Sequence, residues 1–182
     1  MIHDANFWLD LVSRFGAQNA RIAQADVNSI WGYTGPEPGA SELALLEVEN
    51  SLGFEIPSEY REFLVVSNGW KGFYQDVSLL GTDSIVNSEE LTRAWELIES
   101  ADEGSGGLLQ VSRQSFLPIA VSKSDIDVFL IGTGGRGEVR WIAGQEIERF
   151  NSFSDFFAGM LVYNTDTLND LLRDPWLGSD GS

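Results

Sequence analysis

The spacing of apolar residues changes period along the chain, and the order of those changes restricts the fold more than any single residue does. Around Phe7, Trp8, Leu11, Val12 and Phe15, and again at Leu45, Val48 and Leu52, apolar side chains recur three or four apart. The same spacing returns at Tyr60, Phe63 and Leu64 and at Leu91, Ala94, Trp95 and Ile98. It places them on one face of a helix. Phe116 to Val121, Asp125 to Ile131, Glu138 to Ala143 and Gln145 to Phe150 read instead as strands. A helical face then resumes with Phe153, Phe156, Phe157, Met160 and Leu161. Trp70 to Leu80, rich in aromatic and β-branched residues, adds one strand or a hairpin among the helices. Helices first, a meander of strands after and a closing helix predict an α+β fold, with a central mixed, mostly antiparallel sheet flanked by helices.

Punctuation residues set the expected boundaries. Asp4 caps one helix, or two short ones, running to Gln24. Thr34-Gly35-Pro36-Glu37-Pro38-Gly39 is the clearest linker. It separates an N-terminal helical extension (1–39), packed on or linked to the rest, from a main domain (40–173) and a flexible tail (174–182). Ser41 caps the next helix, with Glu42 in its first turn and Gly53 at its end. Ser58 can cap a second helix, which Asn68-Gly69 ends. Asn87 and Glu90 have capping-box spacing. Gly104 to Gly107 reads as a flexible loop, and Ser152 or Ser154 can cap the closing helix. A separate run with Leu168, Leu171 and Leu172 stops at Asp174-Pro175.

Composition removes several chemistries. There is no cysteine, so disulfides, thiolate metal sites and a cysteine nucleophile are excluded. The single histidine, His3, stands in a segment expected to fray, a poor base for a serine triad. Gly132-Thr133-Gly134-Gly135-Arg136-Gly137 matches the dinucleotide pattern in letters. That mechanism needs a helix to begin in the glycines, and Glu138-Val139-Arg140-Trp141 alternates like a strand, so a hairpin turn is expected. Asp125 and Asp127 share a strand face and could hold a divalent cation, although strand-edge solubility explains them as well. Glu89 and Glu90 read as a solvated first turn. No cofactor is expected. The chain starts without a basic, apolar leader and contains no membrane-length apolar run, which makes the cytoplasm the expected compartment.

Charge is the unusual feature. The formal net charge is −17, and Met1 to Glu103 carries 18 acidic and 5 basic residues against 10 and 6 in the remainder. Such a field repels nucleic acid and anionic lipid and attracts basic proteins. Acidic surfaces also serve solubility alone. Of the tryptophans, Trp8 and Trp95 fall on apolar helical faces and belong to the core. Trp31, Trp70, Trp141 and Trp176 lie in extended or turn contexts, where exposure would serve binding and partial burial the fold.

Ser41-Glu42-Leu43, Leu46-Glu47, Leu52-Gly53, Ile56-Pro57, Tyr60-Arg61-Glu62-Phe63-Leu64 and Ser67-Asn68-Gly69 follow one another in an order that resembles the SUKH superfamily, whose founders include the Smi/Knr cell-wall regulators of yeast. Phe116-Leu117-Pro118-Ile119-Ala120, Asp127-Val128-Phe129-Leu130 and Ser152-Phe153-Ser154-Asp155-Phe156-Phe157 resemble its strand and closing-helix blocks. The resemblance covers about Ser41 to Tyr163. It implies the α+β fold above and no catalytic group. In bacteria such domains are commonly immunity proteins of polymorphic toxin systems; the yeast relatives act as signalling or scaffold proteins. Resemblance and charge together imply a non-enzymatic, acidic protein-binding module whose partner is a basic cognate toxin, with nucleic acid and membrane excluded and a monomer or weak dimer expected. The expected contact surface is Glu42, Glu47, Glu49, Glu55, Glu59 and Glu62 with Trp70, and separately Glu96, Glu99, Asp102 and Glu103. Any one of these carboxylates is also what a solvated helix face carries. The alternative role is a regulatory or scaffold module unrelated to toxins.

Overall fold

Among the described residues, six strands cross a single sheet in the order of the sequence, and all five pairings are antiparallel. The computed structural model describes residues 5–134 and 137–174. Expectations on His3, the Asp4 cap, Gly135, Arg136, Trp176 and the tail beyond Asp174 lie outside the described residues. The strands are β1 (Trp70–Tyr74), β2 (Val77–Leu79), β3 (Phe116–Ser122), β4 (Asp127–Gly132), β5 (Val139–Ala143) and β6 (Glu146–Phe150). The helices are α1 (Ala5–Ala25), α2 (Glu42–Leu52), α3 (Ser58–Val66), α4 (Glu89–Gly104) and α5 (Phe153–Arg173). The α+β architecture is as the periodicity predicts, and every pairing among the described residues of this sheet is antiparallel.

Val128, Phe129, Leu130 and Ile131 are consecutive and all buried, so the middle of the sheet is covered on both faces. One cover is aromatic. Phe15 of α1 stacks on Phe73 of β1 with ring centroids 4.2 Å apart. Trp8, Phe63, Phe153 and Phe157 interlock edge to face or tilted beside it. Phe129 reaches Phe156 of α5 from the sheet. The opposite cover is α4, whose Ala94, Trp95, Ile98 and Ala101 are buried and which lies against β3, β4 and β5. A buried polar relay ties the first cover together. Asn164 of α5 donates to Asn19 of α1 at 2.8 Å, and Asn19 donates to the carbonyls of Phe73 and Gly72.

Local chemistry explains most boundaries and corrects three. Ser41 Oγ accepts from Ala44 N, and Gly53 closes α2 in the left-handed conformation. Ser58 does not cap α3: it is the first helical residue, and Pro57 takes the cap position without a side-chain bond. Asn87 does not cap α4, because it takes a positive φ; Ser88 Oγ accepts from Leu91 N at 2.9 Å instead. The run with Leu168, Leu171 and Leu172 is no separate segment but the end of α5, capped at its start by Ser152. Likewise α1 is one helix.

The stretch from Asp26 to Ala40, which contains the expected linker, is pinned along its length. Both Asp26 carboxylate oxygens accept backbone amides, from Ile30 and Trp31. Trp31 and Tyr33 pack on Ile22, Leu168 and Leu171. The Trp70 indole donates to Thr34 O at 2.8 Å, Glu37 N to Gly69 O, and Asn68 N to Pro38 O. This strap runs beside β1, at the edge of the sheet. Gly72 is required there: its φ is +62°, and a Cβ would overlap the carbonyl oxygen of Gly32.

Candidate partner-binding cleft

The acids expected to meet a partner fall into two groups. Some hold the fold together. Glu49 accepts from Ile56 N and Arg61 Nε, both at 3.1 Å, and Arg61 also reaches Glu42, so one guanidinium fastens α2 to α3. Hydrogen bonds to these carboxylates hold the Arg61 proton more tightly than usual. Glu59 is only 8% exposed, and its carboxylate accepts from Ser154 N at 2.8 Å, in the first turn of α5, where the helix dipole favours an anion. Glu62 accepts from the Trp8 indole. Asp102 accepts from Leu109 N at 3.0 Å across the glycine loop. Trp70 corrects the expectation most clearly: it is 1% exposed, wedged against Phe15 and Phe73, and belongs to the core.

The other group faces solvent. Glu47 and Glu55 are exposed on and after α2, and Glu96, Glu99 and Glu103 along α4; Glu42 is exposed as well, although Arg61 holds it. Glu99 pairs with Arg113 at 3.0 Å, but both side chains are more than half exposed and the pair contributes little.

The sheet's uneven cover creates a concavity. Helix α4 lies over β3, β4 and β5, and an open face lies beside it on β1 and β2, where Lys71, Gly72, Ser78 and Leu79 line a cavity. Over that open face is a cleft of about 1080 Å³. One wall is the start of α4, with Glu89, Glu90, Arg93 and Glu96. The facing wall is the strap, with Gly32, Thr34, Glu37 and Pro38. Lys71, Ser78, Leu79, Val121 and Lys123 come from the strands and their ends, and Asp76 and Asp83 from turns. Six carboxylates thus stand on the lining against three cations. Arg93 is committed to the carbonyls of Ser122 and Asp125, at 3.0 and 2.6 Å. Asp76 accepts from Ser124 N and Oγ, which fastens the β1–β2 turn to the β3–β4 loop. The turn after β2 is fixed by reciprocal bonds between Asn68 and Thr82.

Of the residues expected from the sequence to contact a partner, Glu96 and Trp70 line this cleft, and Glu47 lines a smaller depression nearby that shares Asp83 with it. Glu37, Asp76 and Asp83 escaped notice because they sit in a linker and two turns, far apart in sequence. Glu89 and Glu90 carried a signal, as the only adjacent acids in a helix start, but nothing in their spacing says what they face.

Several groups away from the cleft have displaced proton affinities. Burial raises the Asp127 carboxyl, opposed by the hydrogen bond its Oδ1 accepts from the Trp141 indole at 2.7 Å. Asp125 accepts from Ile126 N through its Oδ1 at 2.8 Å, and its charge adds to the rise of Asp127. Burial raises the Tyr33, Tyr60 and Tyr74 phenols. The hydrogen bond to Glu148 pushes Tyr163 up to about 12. Among the described residues no group of three or more His, Asp or Glu side chains is placed to hold a metal ion. The described part of the glycine-rich stretch joins β4 to β5, with no helix beginning in it. No helix among the described residues is long and apolar enough to cross a membrane.

A family model, that of the SMI1 / KNR4 family (SUKH-1), matches residues 39–159, well over half of the chain. The match begins at Gly39, so α1 and nearly all of the strap precede it. No curated protein matches the chain. Among solved structures, the crystal structure of a protein from Pseudomonas syringae pv. tomato aligns with 19% identity over 75% of this chain and 92% of that one, at a TM-score of 0.46.

Proposed function

This chain belongs to the SMI1 / KNR4 family (SUKH-1), and on that premise we propose that it is a non-catalytic immunity protein that binds and neutralises a cognate protein toxin in the cytoplasm. The toxin is a nuclease or another protein whose active site is a basic cleft. The observation that carries this reading is the acidic lining just described: six carboxylates gathered around one cleft on a chain of net charge −17. A surface that binds phosphates presents lysine and arginine, and an acidic partner meets it with complementary potential and a fast, salt-sensitive encounter. The protein acts as a monomer or weak dimer, since a shared charge of this size opposes close self-association.

Co-expression with the protein encoded beside it tests this. The expected result is a complex that survives gel filtration and rescue of growth from that protein's toxicity. Neither binding nor rescue, together with recovery of only signalling or housekeeping proteins from native cytosol, would instead make the chain a scaffold module.

A further inference from the structure

The cleft is wide enough for a protein segment. Its volume of about 1080 Å³ stands at the upper end of the usual range for ligand pockets, about 300–1,000 Å³. This one is walled by charged side chains and has exposed or half-buried polar groups, Lys71 and Ser78, on the strands beneath. Its two long walls also differ in origin. The α4 wall lies inside the span the family shares, whereas Gly32, Thr34, Glu37 and Pro38 precede it.

We propose that the cleft receives a lysine- or arginine-bearing loop of the partner protein, and that the strap, through Glu37, is the wall that selects which loop is accepted. The proposal rests on the protein-binding reading above and adds the place and the shape of the contact. Glu96 on α4 and Glu37 on the strap take basic side chains of the loop from opposite sides. Lys71 and Lys123 repel cations from the strand side of the cleft, so an accepted loop carries its charges toward the walls. The strap is fixed against β1 by backbone, indole and Thr34 hydroxyl hydrogen bonds that do not involve the Glu37 side chain. A change at Glu37 therefore alters recognition and leaves the wall standing.

Two charge-matched double variants of the full chain decide it. Glu37→Lys with Glu96→Lys reverses one acid on each wall. Glu99→Lys with Glu103→Lys makes the same change in net charge elsewhere on α4. The probe is a fluorescent peptide of alternating lysine and glycine, with a glutamate–glycine peptide as control, titrated at low salt; thermal melting confirms that each variant is folded. Wild type is expected to bind the lysine peptide and not the glutamate peptide. The cleft pair should weaken that binding about tenfold or more, and the Glu99/Glu103 pair by no more than about twofold. Equal losses in both variants, or a loss confined to Glu99/Glu103, would overturn the cleft as the docking place. The peptide result stands apart from the immunity reading: failure to bind the neighbouring gene's product removes that toxin and leaves the cleft to be judged on the peptide. Where the neighbour does bind, Glu37→Lys alone should change affinity for it, and unchanged affinity removes the strap's selective role.

Discussion

Asp127 shows how a single carboxyl couples fold to pH. Its burial favours the neutral form more than the Trp141 hydrogen bond favours the charged one, so its proton leaves only above the pH at which an unfolded chain would lose it. Between those two values the folded state holds more protons than the unfolded state, and stability falls as pH rises. Asn at this position has no proton to lose and keeps an oxygen for the indole. Asp127→Asn should therefore gain stability relative to wild type on going from about pH 3 to about pH 7. Denaturant midpoints at the two pH values check this, and a constant difference would contradict it. At this scale the sequence was half legible. The alternation of Ile126, Val128 and Leu130 indicates a strand, but only the pairing of Asp127 with Ala143 brings the Trp141 indole within reach.

Elements were legible where their signals are local. The caps at Ser41 and Ser152 and the end of α2 at Gly53 follow from short-range hydrogen bonding. The α4 start is displaced by one residue because Asn87, which tolerates positive φ, is used for the turn and Ser88 for the cap. The strap is the element whose anchoring the sequence shows least. Glycine and proline mark Thr34 to Gly39 as a linker, and they do keep it out of helix and strand. What holds it in place is supplied by Trp70, Gly69 and Asn68, thirty or more residues away. Gly72→Ala should detach it, because the added methyl meets the Gly32 carbonyl at a backbone conformation that alanine resists. The expected loss is more than about 1 kcal/mol, read from chemical denaturation, with faster amide exchange at Glu37 and Asn68. An effect on global stability without faster exchange there would argue against the strap as the site of damage.

At the scale of the whole molecule, charge opposes what packing achieves. A net charge of −17 on 182 residues repels itself, and exposed pairs such as Arg113–Glu99 offset little of that. The melting temperature should rise between low salt and about 0.3 M NaCl, as screening shortens the reach of that repulsion to less than about 10 Å. Association with a basic partner should weaken over the same range. A melting temperature indifferent to salt would show that the acids are spaced widely enough not to interact. The whole-molecule site was the least legible, since Glu37, Asp76, Asp83 and Glu96 meet only once the sheet exists and α4 has covered part of it. The sheet's order carries one more consequence, in time rather than in space. From β3 to β6 each strand pairs with its neighbour in sequence through a short connection, whereas Gln18 must find Thr165 across nearly the full chain. Short loops close at small entropic cost, so the β3–β6 meander is the natural nucleus, and the docking of α1 on α5 belongs after the rate-limiting step. Substitutions in β4 should slow refolding, while Gln18→Ala should chiefly quicken unfolding, two opposite limbs of the same stopped-flow chevron.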